Sequence, residues 1–126
     1  MIDSNILIDY ISQKFSGTPE QRLDSIFDKE FFYSVISRLE VLGFDAPQQS
    51  LDSIGQFLHS GNMYALTDEI ADQTITIRRV LPKMKLPDAI IAATAVTHNL
   101  VLLTHNISDF KGVENLEIQD PWTWHD

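Results

Sequence analysis

Apolar positions return at helical spacing along most of this chain, and the gaps between those stretches hold short apolar runs. Ile6, Leu7, Tyr10 and Ile11 share one helical face over residues 6–14, with Ser4 or Asn5 placed to cap it. Thr18-Pro19 opens a second helix whose stripe is Leu23, Ile26 and Phe27. The run EFFYSV is short and aromatic and reads as a strand. A helix follows at once, capped by Ser34 or Ser37 and ending near Gly43. Residues 48–60 place Leu51, Ile54, Phe57 and Leu58 on one face before Gly61. MYAL reads as a short strand, and Thr67 caps the helix DEIADQTITIRRVL, with Asp68 and Glu69 in its first turn where the helix dipole favours them. LPDAIIAATAVTH is a mostly apolar helix with Pro87 in its first turn and Asn99 at its end. LVLLT is a continuous apolar run, the pattern of a parallel strand covered on both faces, and LEIQ reads as a last strand.

Strands alternating with helices predict an α/β protein with a mainly parallel sheet. No repeat or linker interrupts the 126 residues, so a single domain over 1–126 is expected. There is no cysteine, which excludes disulfides and thiolate metal sites. No apolar run is long enough to span a bilayer, and the opening residues lack the basic and apolar regions of a signal peptide. A cytoplasmic protein is the expectation.

Charge changes the picture. The net charge is −9 and the pI about 4.6. Proteins that hold nucleic acid by phosphate contacts alone are usually basic. The balance therefore points either to a basic partner or to an acidic site whose charge a bound metal reverses.

Four acids stand where such a site would form. Asp3 follows Met1-Ile2 directly, and Asp109 lies just past the strand ending at Thr104. Glu40 sits on the helix after EFFYSV, among Ile36, Ser37, Gly43 and Phe44, a small and apolar neighbourhood ill suited to an unpaired carboxylate. Asp88 begins the apolar helix, whose amino end must lie near the core. Each has a plainer explanation: an N-terminal acid suits the helix dipole, and Asn106, Ser108 and Asp109 are good turn formers. Together they are more informative, because strand carboxyl ends and the following helix starts share one sheet edge. Four carboxylates there would raise one another's pKa, a conflict that a divalent cation removes. Oxygen ligands without a Cys or His pattern select Mg²⁺ or Mn²⁺ over zinc.

The segments IDSNILIDY, SVISRLEVLGF, LPDAIIAATA and VLLTHNISDF resemble, in order and spacing, the four motifs of PIN-domain ribonucleases. The resemblance is greatest to VapC-like toxins of toxin–antitoxin pairs and spans nearly the whole chain. It implies a three-layer α/β/α sandwich and a Mg²⁺- or Mn²⁺-dependent endoribonuclease. It implies Asp3, Glu40, Asp88 and Asp109 as catalytic, metal-holding acids, with Asn5 and Thr104 lining the site. It also implies a small antitoxin that blocks the site, and a homodimer. One departure stands out: only Met1-Ile2 precede Asp3, where the family has a longer strand.

An RNA substrate must be held despite the acidic balance. Arg78, Arg79, Lys83 and Lys85 precede Asp88 and are four of the nine basic residues, which makes their segment the candidate phosphate contact. The alternative is an ordinary solvated helix face. His59, His98, His105 and His125 show no ligand spacing; for His105, beside the site, a plain surface role is favoured over RNA contact, and Trp122 and Trp124, alternating like strand or tail residues, read as packing or partner contacts. Rival functions are a Mg²⁺-dependent phosphohydrolase or receiver-like domain, and an inert PIN-like module that only binds a partner. The first would need a D-x-D pair, where this chain has Asp3-Ser4-Asn5, or a lysine soon after LVLLT, where none occurs before Lys111.

Overall fold

A computed structural model describes all 126 residues. The chain runs through helices α1 (Ser4–Ile11) and α2 (Gly17–Lys29), strand β1 (Phe32–Ser34), and helices α3 (Val35–Leu42) and α4 (Gln48–His59). Strand β2 (Asn62–Tyr64), helices α5 (Asp68–Val80) and α6 (Leu86–Thr97), strand β3 (Leu102–Leu103), helix α7 (Ile107–Phe110) and strand β4 (Ile118–Gln119) follow, with a final 3₁₀ turn at Pro121–Thr123.

The strands are short and form two parallel pairs, β1 with β2 and β3 with β4. Met1-Ile2 joins the pairs into one layer. The Ile2 amide donates to the Phe32 carbonyl at 2.8 Å on one side. On the other, Ile2 bridges Leu103 in parallel, with the Leu103 amide on the Met1 carbonyl at 2.8 Å and the Asp3 amide on the Leu103 carbonyl at 2.9 Å. The order across the sheet is therefore β2, β1, the opening dipeptide, β3, β4, with every recorded strand pairing parallel.

Alternation along these strands builds two cores, since successive side chains face opposite ways. Met1 and Leu102, with Phe32 and Tyr64 packed alongside, face Ile70, Ile77, Ile90 and Ile91 from α5 and α6. Ile2, Phe31, Tyr33 and Leu103 face Ile6, Leu7, Leu23, Val41 and Leu58 from α1 to α4. Helices on both sides of a parallel sheet make the three-layer α/β/α sandwich that the family resemblance implies. The interior of α6 is apolar all round, with every residue from Ala89 to Ala95 buried, as suits a helix covered by both the sheet and α5.

Several boundaries move. The N-cap of α1 is Asp3 rather than Ser4 or Asn5, its Oδ1 accepting from the Ser4 amide at 2.8 Å. Of the two serines offered for α3, Ser34 is the cap and Ser37 is buried within the helix. Residues after Thr104 form the single turn of α7 rather than an open turn. The tail carrying Trp122 is a 3₁₀ turn rather than a strand, because Asp120 caps it and Pro121 fixes its first φ.

Candidate active site at the carboxyl edge of the sheet

The two-residue opening strand delivers Asp3 straight into the first turn of α1, at the carboxyl edge and in the middle of the sheet. Asp3 is only 5% exposed. Its Oδ2 accepts from the Thr104 hydroxyl at 2.7 Å and from Asn5 Nδ2 at 3.0 Å. Thr104 is fully buried at the end of the neighbouring β3 and also accepts from the Asn106 amide at 3.1 Å. Asn5 reaches the same loop from the other direction, its Oδ1 accepting from the His105 amide at 3.0 Å. Asn5 and Thr104 thus hold Asp3 from two sides.

Glu40 stands on α3, exposed, with Oε1 accepting from the Ser4 hydroxyl at 2.7 Å. Its head reaches water, but it is tethered to the residue next to Asp3. Nothing in the sequence singles out Ser4, because a serine after an aspartate reads only as a cap. Asp88 is half-buried in the first turn of α6, and Asp109 is exposed on α7.

Electrostatics tie the four acids together. Burial pushes the Asp88 carboxyl up to about 6, and the charges of Asp109, Asp3 and Glu40 push it the same way, with only Lys85 opposing. Asp3 is also raised, chiefly by burial and further by Glu40; the hydrogen bonds from Thr104, Ser4 and Asn5 work against the rise. The ionised forms of Asp3 and Asp88 are thus both disfavoured.

Beside these acids lies a cleft of about 490 Å³ whose walls include Asp88, Asp109, Lys83, Lys85 and Lys111. Lys83 and Lys85 come from the segment marked by its basic residues. Arg78 and Arg79 do not line the cleft: Arg78 Nε donates to the Met84 carbonyl at 3.3 Å and ties down the loop that carries the lysines, while Arg79 is exposed on α5. Lys111 arrives from past α7, and its distance along the chain hid it from the sequence pattern.

Carboxylate oxygens facing one sheet edge, without Cys or His partners, are the donor type that a hard divalent cation takes. As the side chains stand, no group of three or more acids and histidines is close enough to hold a metal ion.

A parallel α/β/α sandwich with acids at its carboxyl edge and a lysine-lined cleft beside them defines the class. Residues 1–116 match the PIN domain model, and the chain belongs to that family. Among solved structures it is similar to a toxin–antitoxin complex from Klebsiella pneumoniae, with 30% identity, a TM-score of 0.76 and 95% of each chain covered. It is similar in fold to VapBC from Salmonella typhimurium bound to DNA, with 22% identity, a TM-score of 0.83 and 96% of each chain covered. VapBC-1 from nontypeable Haemophilus influenzae matches with 24% identity, a TM-score of 0.81 and 97% of each chain covered. No curated protein matched the chain.

Proposed function

We propose that this PIN-domain protein is a Mg²⁺- or Mn²⁺-dependent endoribonuclease and the toxin of a VapBC-type pair. The observation that carries the reading is Asp88, pushed up to about 6 by burial and by the joint charge of Asp109, Asp3 and Glu40. Acids kept in mutual conflict at a sheet edge are a cost to the fold, and cation binding offsets it. The toxin part rests on the likeness to the toxin–antitoxin complexes and on the net charge of −9, which suits a cationic partner.

In this reading Asp3, Asp88 and Asp109 would hold the cation directly or through water, and Glu40 would ligate it or orient the attacking water. A bound divalent cation supplies charge neutralisation and an activated water for phosphodiester hydrolysis. The chain's own groups do the rest. Thr104, Asn5 and the Ser4 amide fix the Asp3 carboxylate, so little reorganisation remains when substrate arrives. Ser4 ties Glu40 to the same frame. Lys83, Lys85 and Lys111 give the RNA backbone a local positive path on an acidic protein. The biological unit would pair with a small antitoxin and form a homodimer in the cytoplasm. No helix is long and apolar enough to cross a membrane.

The test is Mn²⁺-dependent cleavage of a mixed RNA pool by the parent, Asp3→Asn and Asp88→Asn proteins. Cleavage by the parent alone, with all three folded, supports the reading. Equal activity in the Asp88→Asn protein removes Asp88 from the site.

A further inference from the structure

Asp120 is not among the four acids that the sequence pattern marks, yet it is only 7% exposed and organises a second feature on the acidic edge. It follows β4, directly beside the loop after β3. Its Oδ2 lies 2.9 Å from His105 Nδ1, and its Oδ1 accepts from the Trp122 amide at 3.0 Å. One buried carboxylate therefore fixes both an imidazole and an indole-bearing turn. The two rings meet edge to face, 6.1 Å apart at 64°, and Phe15 backs the indole at 4.1 Å. Both rings remain open to solvent: the His105 side chain is 57% exposed and Trp122 38% exposed.

A large indole left open at this level, backed by an aromatic and held by a buried cap, is more than packing requires. Trp124 shows the contrast, since Arg22 covers its ring at 3.9 Å and its Nε1 donates to Gln119. The position of the His105–Trp122 pair gives it meaning. The His105 amide donates to Asn5 Oδ1, and Asn5 Nδ2 donates to Asp3, so two hydrogen bonds separate this pair from the centre of the acidic edge. With Nδ1 turned to Asp120, His105 presents Nε2 outward.

We propose that His105 and Trp122 form a nucleobase subsite, which takes an unstacked base of single-stranded RNA flanking the cleaved phosphate. The subsite rests on the ribonuclease reading. Trp122 supplies the stacking face, and His105 Nε2 meets the base edge or its neighbouring phosphate. RNA-binding proteins hold splayed bases on aromatic and histidine rings in this way. The lysine-lined cleft tracks the backbone on the α6 side, and the ring pair fixes the register on the β4 side.

The experiment uses the full chain, its Trp122→Ala and His105→Ala variants, a mixed-sequence single-stranded hexanucleotide, and matched oligomers with one abasic sugar at each position in turn. Binding is read by anisotropy in EDTA at low salt, and cleavage by steady-state kinetics with Mn²⁺. Removing a base stack is expected to weaken binding roughly fivefold to a hundredfold. The same change should raise KM with kcat nearly unchanged. One abasic position should bring parent and variants to equal affinity, because the base each ring holds is then absent. His105 is exposed enough to replace without loss of fold, so that variant decides the matter if Trp122→Ala proves unstable in thermal melts. Unchanged affinity and KM in a folded His105→Ala protein overturn the subsite and leave the ribonuclease reading standing. A weakening that persists against every abasic oligomer also overturns it. A parent chain that neither binds nor cleaves RNA overturns both readings.

Discussion

Thr104 donates its hydroxyl to Asp3 at 2.7 Å across 101 residues of chain, and both partners are buried. The hydrogen bond joins the carboxyl ends of two neighbouring strands at the point where the candidate site begins. Replacing Thr104 by valine keeps the volume and removes the donor. Deleting a hydrogen bond to a charged group costs about 1.5–3 kcal/mol. The Thr104→Val protein should therefore unfold at lower urea, with Asp3 raised further and Mn²⁺ bound more weakly at neutral pH. Urea melts and Mn²⁺ titration calorimetry check this, and unchanged values in both would show the hydrogen bond to be idle.

Asp88 sets a dependence of stability on pH. Its folded pKa is raised from 3.8 to about 6, so between those values the folded chain holds a proton that the unfolded chain has released. Stability should then fall as pH rises through this window in metal-free protein. Asp3 is raised as well and adds a slope of the same sign. Asp88→Asn should make the fall shallower without abolishing it. Melts from pH 4 to pH 7.5 in EDTA measure the two slopes; equal slopes would remove the effect from Asp88.

Cation binding should reverse that fall. At a hundredfold excess over its dissociation constant, a cation held only by the folded state stabilises by about 2.7 kcal/mol. Melting temperature at neutral pH should rise with Mn²⁺ in the parent and much less in Asp88→Asn. Asp45, exposed and outside the four motifs, serves as control: Asp45→Asn should respond as the parent does.

The lysines of the cleft should act through phosphate. For single-stranded RNA, removing one lysine–phosphate pairing makes the dependence of log K on log salt shallower by about 0.7. Lys83→Gln, Lys85→Gln and Lys111→Gln should each weaken binding across RNA sequences, whereas Arg79→Gln should not. Affinity measured at several salt concentrations separates the two groups.

Gly61 has a structural task far from the site. A Cβ there would stand 2.4 Å from the Phe31 ring, which is 2% exposed and held between Phe27 and Phe57. The ring has little room to retreat, and overpacking of this kind costs about 1–3 kcal/mol. Gly61→Ala should lower the melting temperature while leaving Mn²⁺ affinity intact.

The strand–helix alternation and most helices were legible because their signals are local. The Leu23, Ile26, Phe27 stripe and the Thr67 cap need only their neighbours in sequence. The cap on Thr67 holds, its Oγ1 accepting from the Ile70 amide at 3.3 Å. Asp3, Glu40, Asp88 and Asp109 could be brought to one edge because parallel topology fixes where strand ends and helix starts fall. The partners of those acids were less accessible. Ser4 bonding Glu40, Lys111 joining Lys83 and Lys85 in the cleft walls, and Asp120 gripping His105 are long-range pairings with no periodic trace. The extent of the strands was also hidden: LVLLT reads as a five-residue strand, yet β3 spans only Leu102–Leu103.

The dipeptide Met1-Ile2 is the only backbone link between the two halves of the sheet, and it is also the stem of Asp3. Sheet continuity and the acidic edge therefore share one hinge point. If the dipeptide peels away, β1–β2 and β3–β4 part company in the same event that carries Asp3 from Thr104. Any change that loosens the hydrogen bonds of this dipeptide should therefore disturb sheet continuity and the setting of Asp3 together.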